Sequence, residues 1–241
     1  MAVRNRRRRG DPGGGEVTFS IVARDTSGGA VRFGIAASSS SPAVVARVAH
    51  LRPGLGAAAS QNITDPRLGG RLLDRLAEHR DPEKALAEVT STAEHIEYRQ
   101  LTVLGTSGPG FAYSGSKTLG THGSATADGV VAAGNMLAGD HIPQSMVDAF
   151  ASATGELEQR LLAAMRAGLA AGGEEGPVRS AGLVVVSAAD WPVTDLRVDW
   201  ADEPIGQLAE LLDVWLPQRD DYVTRGLNPA AAPSYGVPGD E

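Results

Sequence analysis

Cysteine is absent from the 241-residue chain, which removes disulfides, thiolate nucleophiles and thiolate metal sites together. Aromatic residues make up only 5%, so a core must be built from Ala, Val and Leu, with Gly allowing close approach. No apolar run reaches the length of a membrane span, and no charged-then-apolar signal segment opens the chain, so no membrane partner and a cytoplasmic address are expected. Positive charge is in deficit. The 22 Lys and Arg against 29 Asp and Glu give a formal net charge of -7, which argues against nucleic acid or an anionic surface as the main partner. What remains is ordinary for one soluble globular domain with a real core, at 42% hydrophobic and 21% charged.

Composition breaks near the start. Met1 to Val17 carries Arg4, Arg6, Arg7, Arg8 and Arg9, then Asp11-Pro12 and three glycines, and reads as a disordered basic extension absent from the working protein. A domain is expected over 18–217 and a proline-rich tail over 218–241. Thr18 to Arg24 alternates and is β-prone, Asp25 to Gly29 is a turn, and Val31 to Ser38 completes a hairpin. Leu55 to Gln61 is a third strand of small residues, buried on both faces. Asp65-Pro66 and Asp81-Pro82 each announce a helix. Tyr98 to Leu104 with Gly110 to Ser114, then Val130 to Ala133, add strands. Pro143 to Ala153 and Glu156 to Ala171 add helices, Ala181 to Ser187 and Val193 to Val198 a closing hairpin, and Ile205 to Leu216 a last helix. Hairpins recur and helices come in blocks, so two antiparallel sheets covered by helices fit better than a parallel doubly wound sheet.

Most motifs yield to structural readings. Gly54-Leu55-Gly56 imitates a dinucleotide fingerprint, but no helix opens at its glycines. The serine run Ser38 to Ser41 lacks the glycine-framed elbow of a serine nucleophile. The five histidines show no metal-ligand spacing, and neither metal nor cofactor is expected; His122 and His141, beside a glycine-rich region, are better site candidates than the rest. Gly134-Asn135-Met136-Leu137-Ala138-Gly139 is the least ordinary segment. Its Asn can present an amide beside backbone N–H groups as an oxyanion hole needs, or can merely occupy a left-handed turn.

Thr18 is the remaining candidate. A threonine at a chain start can attack a carbonyl while its own α-amine takes the proton. Thr18 is internal as written, yet Val17 precedes it, and GUG encodes both valine and a common bacterial start. Initiation there, with removal of Met before a small residue, would free the amine; autoproteolysis between Val17 and Thr18 would do the same.

Thr18-Phe19-Ser20-Ile21-Val22-Ala23-Arg24-Asp25, Gly34-Ile35-Ala36-Ala37-Ser38, Gly54-Leu55-Gly56-Ala57, Gln61, Pro66-Arg67-Leu68-Gly69, Tyr98-Arg99-Gln100, the Gly134–Gly139 block and Asp195-Leu196-Arg197-Val198-Asp199 resemble domain of unknown function 1028, a bacterial family assigned to the Ntn-hydrolase superfamily. Members usually begin Met-Thr-Phe-Ser. The resemblance implies an α+β fold, a four-layer α/β/β/α sandwich of two mainly antiparallel sheets. It implies amide hydrolysis with Thr18 as nucleophile, Asn135 as oxyanion donor, and Ser38 and Arg52 as positional candidates for orienting the nucleophile. Gly134, Gln61, Asn62 and His122 are the expected substrate-binding residues. Many members carry a basic residue after the serine corresponding to Ser38; Ser39 stands there here, leaving Arg24 or Arg52 to supply positive charge. Asp25 and Asp65 are expected to hold the framework or line the site.

The leading expectation is an N-terminal-nucleophile amidohydrolase acting on a small amide or peptide-like substrate. A non-catalytic binding or scaffold protein of the same fold is the first rival, and a serine hydrolase using Ser38 to Ser41 with His50 or His122 the second. Small-residue strands and amphipathic helices leave room for a homodimer.

Overall fold

The alternation that begins at Thr18 becomes strand β1 (Thr18–Asp25) in the computed structural model, which describes residues 17–235. The expected basic extension lies outside the described residues except for Val17. The Asp25 carboxylate accepts the Ser27 N–H at 3.0 Å, and Gly29 turns the chain at a φ of 84° into β2 (Arg32–Ser39). A short helix α1 (Val45–Val48) leads to β3 (Ala49–Arg52) and β4 (Gly56–Gln61). Helices α2 (Arg67–His79) and α3 (Pro82–Thr92) follow, then β5 (Gln100–Leu104), β6 (Phe111–Ser114), β7 (Gly123–Ala127) and β8 (Val130–Asn135). The chain closes with α4 (Ile142–Ser152), α5 (Leu157–Ala170), β9 (Ser180–Val186), β10 (Pro192–Val198) and α6 (Pro204–Leu227).

The described residues form a mixed α+β fold with two antiparallel sheets and six α-helices. One sheet runs β10-β9-β2-β1-β8-β7 and the other β3-β4-β5-β6. Period-two alternation assigns the faces. Phe19, Ile21 and Ala23 pack with Met146, Leu161 and Leu208 of α4, α5 and α6. Val22, Phe33, Ile35 and Val131 instead meet Ala57, Ala59 and Leu104 of the second sheet. That sheet turns Ala58, Leu101 and Val103 toward Leu68, Leu72, Leu76, Leu86 and Val89 of α2 and α3. Each fully buried Phe or Leu contributes about 1.5–3 kcal/mol. Small residues set the spacing: a Cβ on Gly182 would meet Val45 at 2.5 Å.

Four elements depart from the sequence expectation. The four residues each of α1 and β3 are too short to show a period. Strand β7 is a half-exposed edge of Gly, Ser, Ala and Thr, with no apolar alternation to read. The last helix was expected to stop at Leu216, with a proline-rich tail from 218; α6 instead continues through Pro217 to Leu227. Pro217 cannot donate to the Asp213 carbonyl, but both residues are exposed, so that acceptor is open to solvent. Beyond the proline, Arg219 Nη1 holds Glu156 at 3.0 Å and Glu158 at 3.1 Å, tying the second half of α6 to α5.

Candidate active site

The register of the six-stranded sheet sets Thr18, first residue of β1, between Ser39 of β2 and Asn135 of β8. Thr18 and Ser20 share the face of Val22, so their side chains enter the space between the sheets. At the Val22 end that space is apolar. At the Thr18 end it holds a chain of amides. Ser20 Oγ donates to Gln61 Oε1 at 2.6 Å, and Gln61 Nε2 donates to Gln100 Oε1 at 2.8 Å. Gln100 Nε2 donates to Ser114 Oγ and to the Gly134 carbonyl, both at 3.0 Å. Asn135 Nδ2 lies 3.3 Å from Gln100 Oε1 and 3.4 Å from the Thr18 carbonyl oxygen. Ser20, Gln61, Gln100 and Asn135 are fully buried. Such groups survive desolvation only when bonded, which the chain of contacts largely achieves. Asn135 Oδ1 is left without a partner among the described residues.

Thr18 is 2% exposed, and its Oγ1 is 3.5 Å from Ser39 Oγ. Ser39 Oγ in turn donates to the Val17 carbonyl at 2.5 Å and accepts the Ser41 N–H at 3.1 Å. The neighbour of Thr18 is therefore Ser39, which corrects the expected place of Ser38. Alternation along β2 turns Ser38 to the other face, with Ala36 and the helices, where its hydroxyl has no partner among the described residues. Asn135 is not a turn residue. It ends β8 in register with Thr18, and the left-handed conformation falls on Met136, at a φ of 46°.

Arg52 does not reach the site. It pairs with Gly56 at the far end of β4 from Gln61, about 17 Å along the strand, and its guanidinium lies 2.8 Å from Asp74 on the surface. Arg24 is equally remote, donating to the Gly105 and Gly108 carbonyls at 2.8 and 3.2 Å. Among the expected substrate-binding residues, Gln61 is in the amide chain. Gly134 is buried against Leu137 and Phe19, where a Cβ would come within 2.7 and 3.1 Å, and it contributes a carbonyl. Asn62 ties two loops: its Nδ2 donates to the Tyr98 carbonyl, and its Oδ1 accepts the Leu119 N–H at 3.1 Å. Asn62 and Ile63 both carry positive φ, 55° and 38°, and a β-branched residue there is strained. His122 is exposed, with Nδ1 3.0 Å from the Gly120 carbonyl oxygen, two residues ahead of Ser124 on β7.

Asp65 does framework work, pairing with Arg67 through two contacts of 2.9 and 2.8 Å at the start of α2, which holds its carboxyl below the usual range. His50, named for the serine-hydrolase reading, packs against bare Gly69 of α2, and burial lowers its pKa. Neither His50 nor His122 hydrogen-bonds a hydroxyl of the Ser38 to Ser41 run. Among the described residues no group of three or more His, Asp or Glu side chains converges as a metal site would need. No helix there is long and apolar enough to cross a membrane.

Sequence assigns no role to Ser20, Gln100 or Glu174, and offers Ser39 one only within the Ser38 to Ser41 run. Ser20 and Gln100 carry a signal, a polar side chain on the strand face that also bears Val22 of β1 and Leu104 of β5. Glu174 carries none. It lies in the loop after Gly172-Gly173 at 6% exposure, neither carboxyl oxygen has a partner among the described residues, and burial pushes its pKa up to about 9.

Residues 18–208 match the model of a family of unknown function, DUF1028. The chain belongs to this family. A crystal structure of protein SPO2555 from Silicibacter pomeroyi, ascribed to the same DUF1028 family, is similar at 34% sequence identity with a TM-score of 0.75. That similarity covers 82% of this chain and 88% of the other. No curated protein matches the chain. Membership in DUF1028 therefore carries an architecture and leaves chemistry to be argued from the site.

Proposed function

We propose that this DUF1028 protein is an N-terminal-nucleophile amidohydrolase that cleaves an amide bond in a small or peptide-like substrate through Thr18. The observation that carries the reading is the position of Thr18. It begins a central strand, with its hydroxyl against Ser39 and the Asn135 amide against its own carbonyl. Two further features support it: helices outside two facing sheets are the layer order expected of an Ntn-hydrolase sandwich, and Thr18 is the first residue of the family match.

In the working form Thr18 carries a free α-amine, with an ordinary pKa of about 7.7–8.0, close to neutrality. The amine takes the Oγ proton as Oγ attacks the substrate carbonyl. The Asn135 amide, with nearby backbone N–H groups, stabilises the tetrahedral oxyanion. The leaving amine takes the proton as the C–N bond breaks, and water then cleaves the Thr18 ester, restoring hydroxyl and amine. These steps draw on no metal or cofactor. The amine arises by initiation at the Val17 codon or by cleavage of the Val17–Thr18 bond. For cleavage, the Ser39 hydroxyl already polarises the Val17 carbonyl beside Thr18 Oγ1.

A non-catalytic binding or scaffold role is the second reading, favoured by one observation: with Val17 attached, Thr18 is buried and has no free amine. The test compares the full chain, a chain beginning at Thr18, and its Thr18→Ala variant on a library of amides. Hydrolysis by the Thr18-first chain alone, with the acyl group mapped to Thr18 by mass, is expected. Equal turnover in all three, or acylation elsewhere, overturns it; a Thr18-first chain inert on every amide favours the scaffold.

A further inference from the structure

The strand partner of Leu137, two residues past the Asn135 that pairs with Thr18, comes from another segment of the chain. Past Asn135 the chain hands the Met136 and Leu137 N–H groups to the Leu119 and Thr121 carbonyls on one side. On the other side it pairs with residues 173–175: Glu175 N–H donates to the Met136 carbonyl at 2.9 Å, Ala138 N–H to the Gly173 carbonyl at 3.0 Å, and Leu137 bridges Glu174. Thr18 pairs with Asn135 and Glu174 with Leu137, so Glu174 joins the sheet on the upstream side of Thr18, just past the left-handed residue Met136. From there the Glu174 carboxyl lies toward the Ser40 N–H on the extension of β2, near enough to favour the charged form slightly but without a normal hydrogen bond.

A carboxyl buried to this degree with neither oxygen hydrogen-bonded is strongly destabilising if charged, and still unfavourable as an unbonded neutral acid. Among the described residues the Ser40 N–H is the nearest donor to it, and neither oxygen is held in a hydrogen bond. A free chain start at Thr18 would offer it one. Its amine would open toward the place of Val17, whose carbonyl lies at the Ser39 end of β2, next to the Ser40 N–H that the Glu174 carboxyl approaches.

We propose that the Glu174 carboxyl is the receptor for the α-ammonium of Thr18, an inference that rests on the N-terminal-nucleophile reading. Glu174 is a positioning residue. As a carboxylate it orients the amine toward Thr18 Oγ1 and stabilises the ammonium formed when the amine takes the hydroxyl proton, as the buried Asp does for the imidazolium of a Ser-His-Asp triad. Polar groups on the neighbouring elements leave this role to it. Ser38 and Ser40 hydroxyls are themselves unpartnered, Arg179 and Asp202 are paired with each other, and Glu203 is exposed.

The test is a double-mutant cycle read by melting temperature at neutral pH, independent of any substrate. The four proteins are the full chain and the Thr18-first chain, each with Glu174 and with Glu174→Gln. In the full chain the substitution is expected to leave Tm unchanged or raise it, because the amide replaces an acid that burial keeps uncharged. In the Thr18-first chain it is expected to lower Tm, the two shifts differing by roughly 3–10 °C. Equal shifts overturn the proposal. Should the Thr18-first Glu174→Gln protein fail to fold, Nα-acetylation of the Thr18-first chain makes the same comparison. Acetylation is expected to lower Tm, and an unchanged Tm overturns the proposal. Coupling without amide hydrolysis would sink the amidase reading and keep the ammonium receptor; hydrolysis without coupling would do the reverse. Where both hold, Glu174→Gln is expected to lower kcat at least tenfold with KM nearly constant, and equal kcat overturns it.

Discussion

The two ends of the space between the sheets are built from the same strands and filled in opposite ways. At one end Val22, Phe33, Ile35 and Val131 meet Ala57, Ala59 and Leu104 with no polar atom to satisfy. At the other, further along the same strands, Ser20 bonds Gln61, Gln61 bonds Gln100 and Asn135 lies against Gln100, with Thr18 beside Ser39. The apolar end needs only volume. The amide end needs each partner at its station, and the orphaned Asn135 Oδ1 shows that the bonding is incomplete. Incomplete satisfaction of a buried amide works against stability, which makes this end the candidate site.

The largest test of that contrast lies at Thr18. In the Thr18-first chain, Thr18→Ala removes the nucleophile and is expected to lower amide hydrolysis by about 10⁴-fold or more, the scale seen when a nucleophile is deleted. Its stability should shift by about 1–2 kcal/mol, since a buried methyl and a weakly bonded hydroxyl are lost. The mirror experiment is Phe33→Ala at the apolar end, where the ring is fully buried. It is expected to cost about 3–5 kcal/mol in denaturant unfolding while kcat per folded molecule is kept. If Phe33→Ala abolished kcat in folded protein, the two ends would not be separable as stability and chemistry.

Glu174 sharpens the comparison through pH. Its folded pKa, about 9, stands above the ordinary carboxyl value of 4.5, so between those values the native full chain binds a proton that the unfolded chain lacks. Stability from this group is complete below about pH 4.5 and falls as pH rises toward 9. His50 has the opposite sign. Burial lowers its pKa, so its stabilising effect is lost as pH falls below the ordinary 6.5 and is flat above it. Glu174 is thus isolated between pH 7 and 9, where the full chain is expected to lose about 2 kcal/mol that Glu174→Gln does not lose. Parallel slopes in the two proteins would refute the buried acid.

Much of this architecture is legible in the sequence because period and punctuation agree. Asp25, Gly29, Asp81-Pro82 and the Thr18 alternation each specify what is found, and Asp81 caps α3 through the Glu83 and Lys84 N–H groups. The misses have physical causes. A strand pattern places Ser38 and Ser39 side by side, but only the pairing of Thr18 with Ser39 decides which of them faces it. Pro217 reads as a stop because the ion pairs that carry α6 past it come from α5, some 60 residues away. Glu174 is opaque for the same reason: its meaning lies in its bridge to Leu137, which no local window contains.

The smallest expected effect belongs to Arg52, where resemblance and geometry part. By position it is a candidate to orient the nucleophile, but its guanidinium is half-exposed at the end of β3 and bound to an exposed Asp74. An ion pair of that kind contributes about 0–1 kcal/mol and fades with salt. Arg52→Ala is therefore expected to change unfolding free energy by less than about 1 kcal/mol, and by less still at 0.5 M salt, with amide hydrolysis by the Thr18-first chain within twofold of the parent. A tenfold loss of kcat in Arg52→Ala at unchanged stability would return Arg52 to the site. It would also mean that the working form rearranges the β3 edge by more than a strand's length of separation allows.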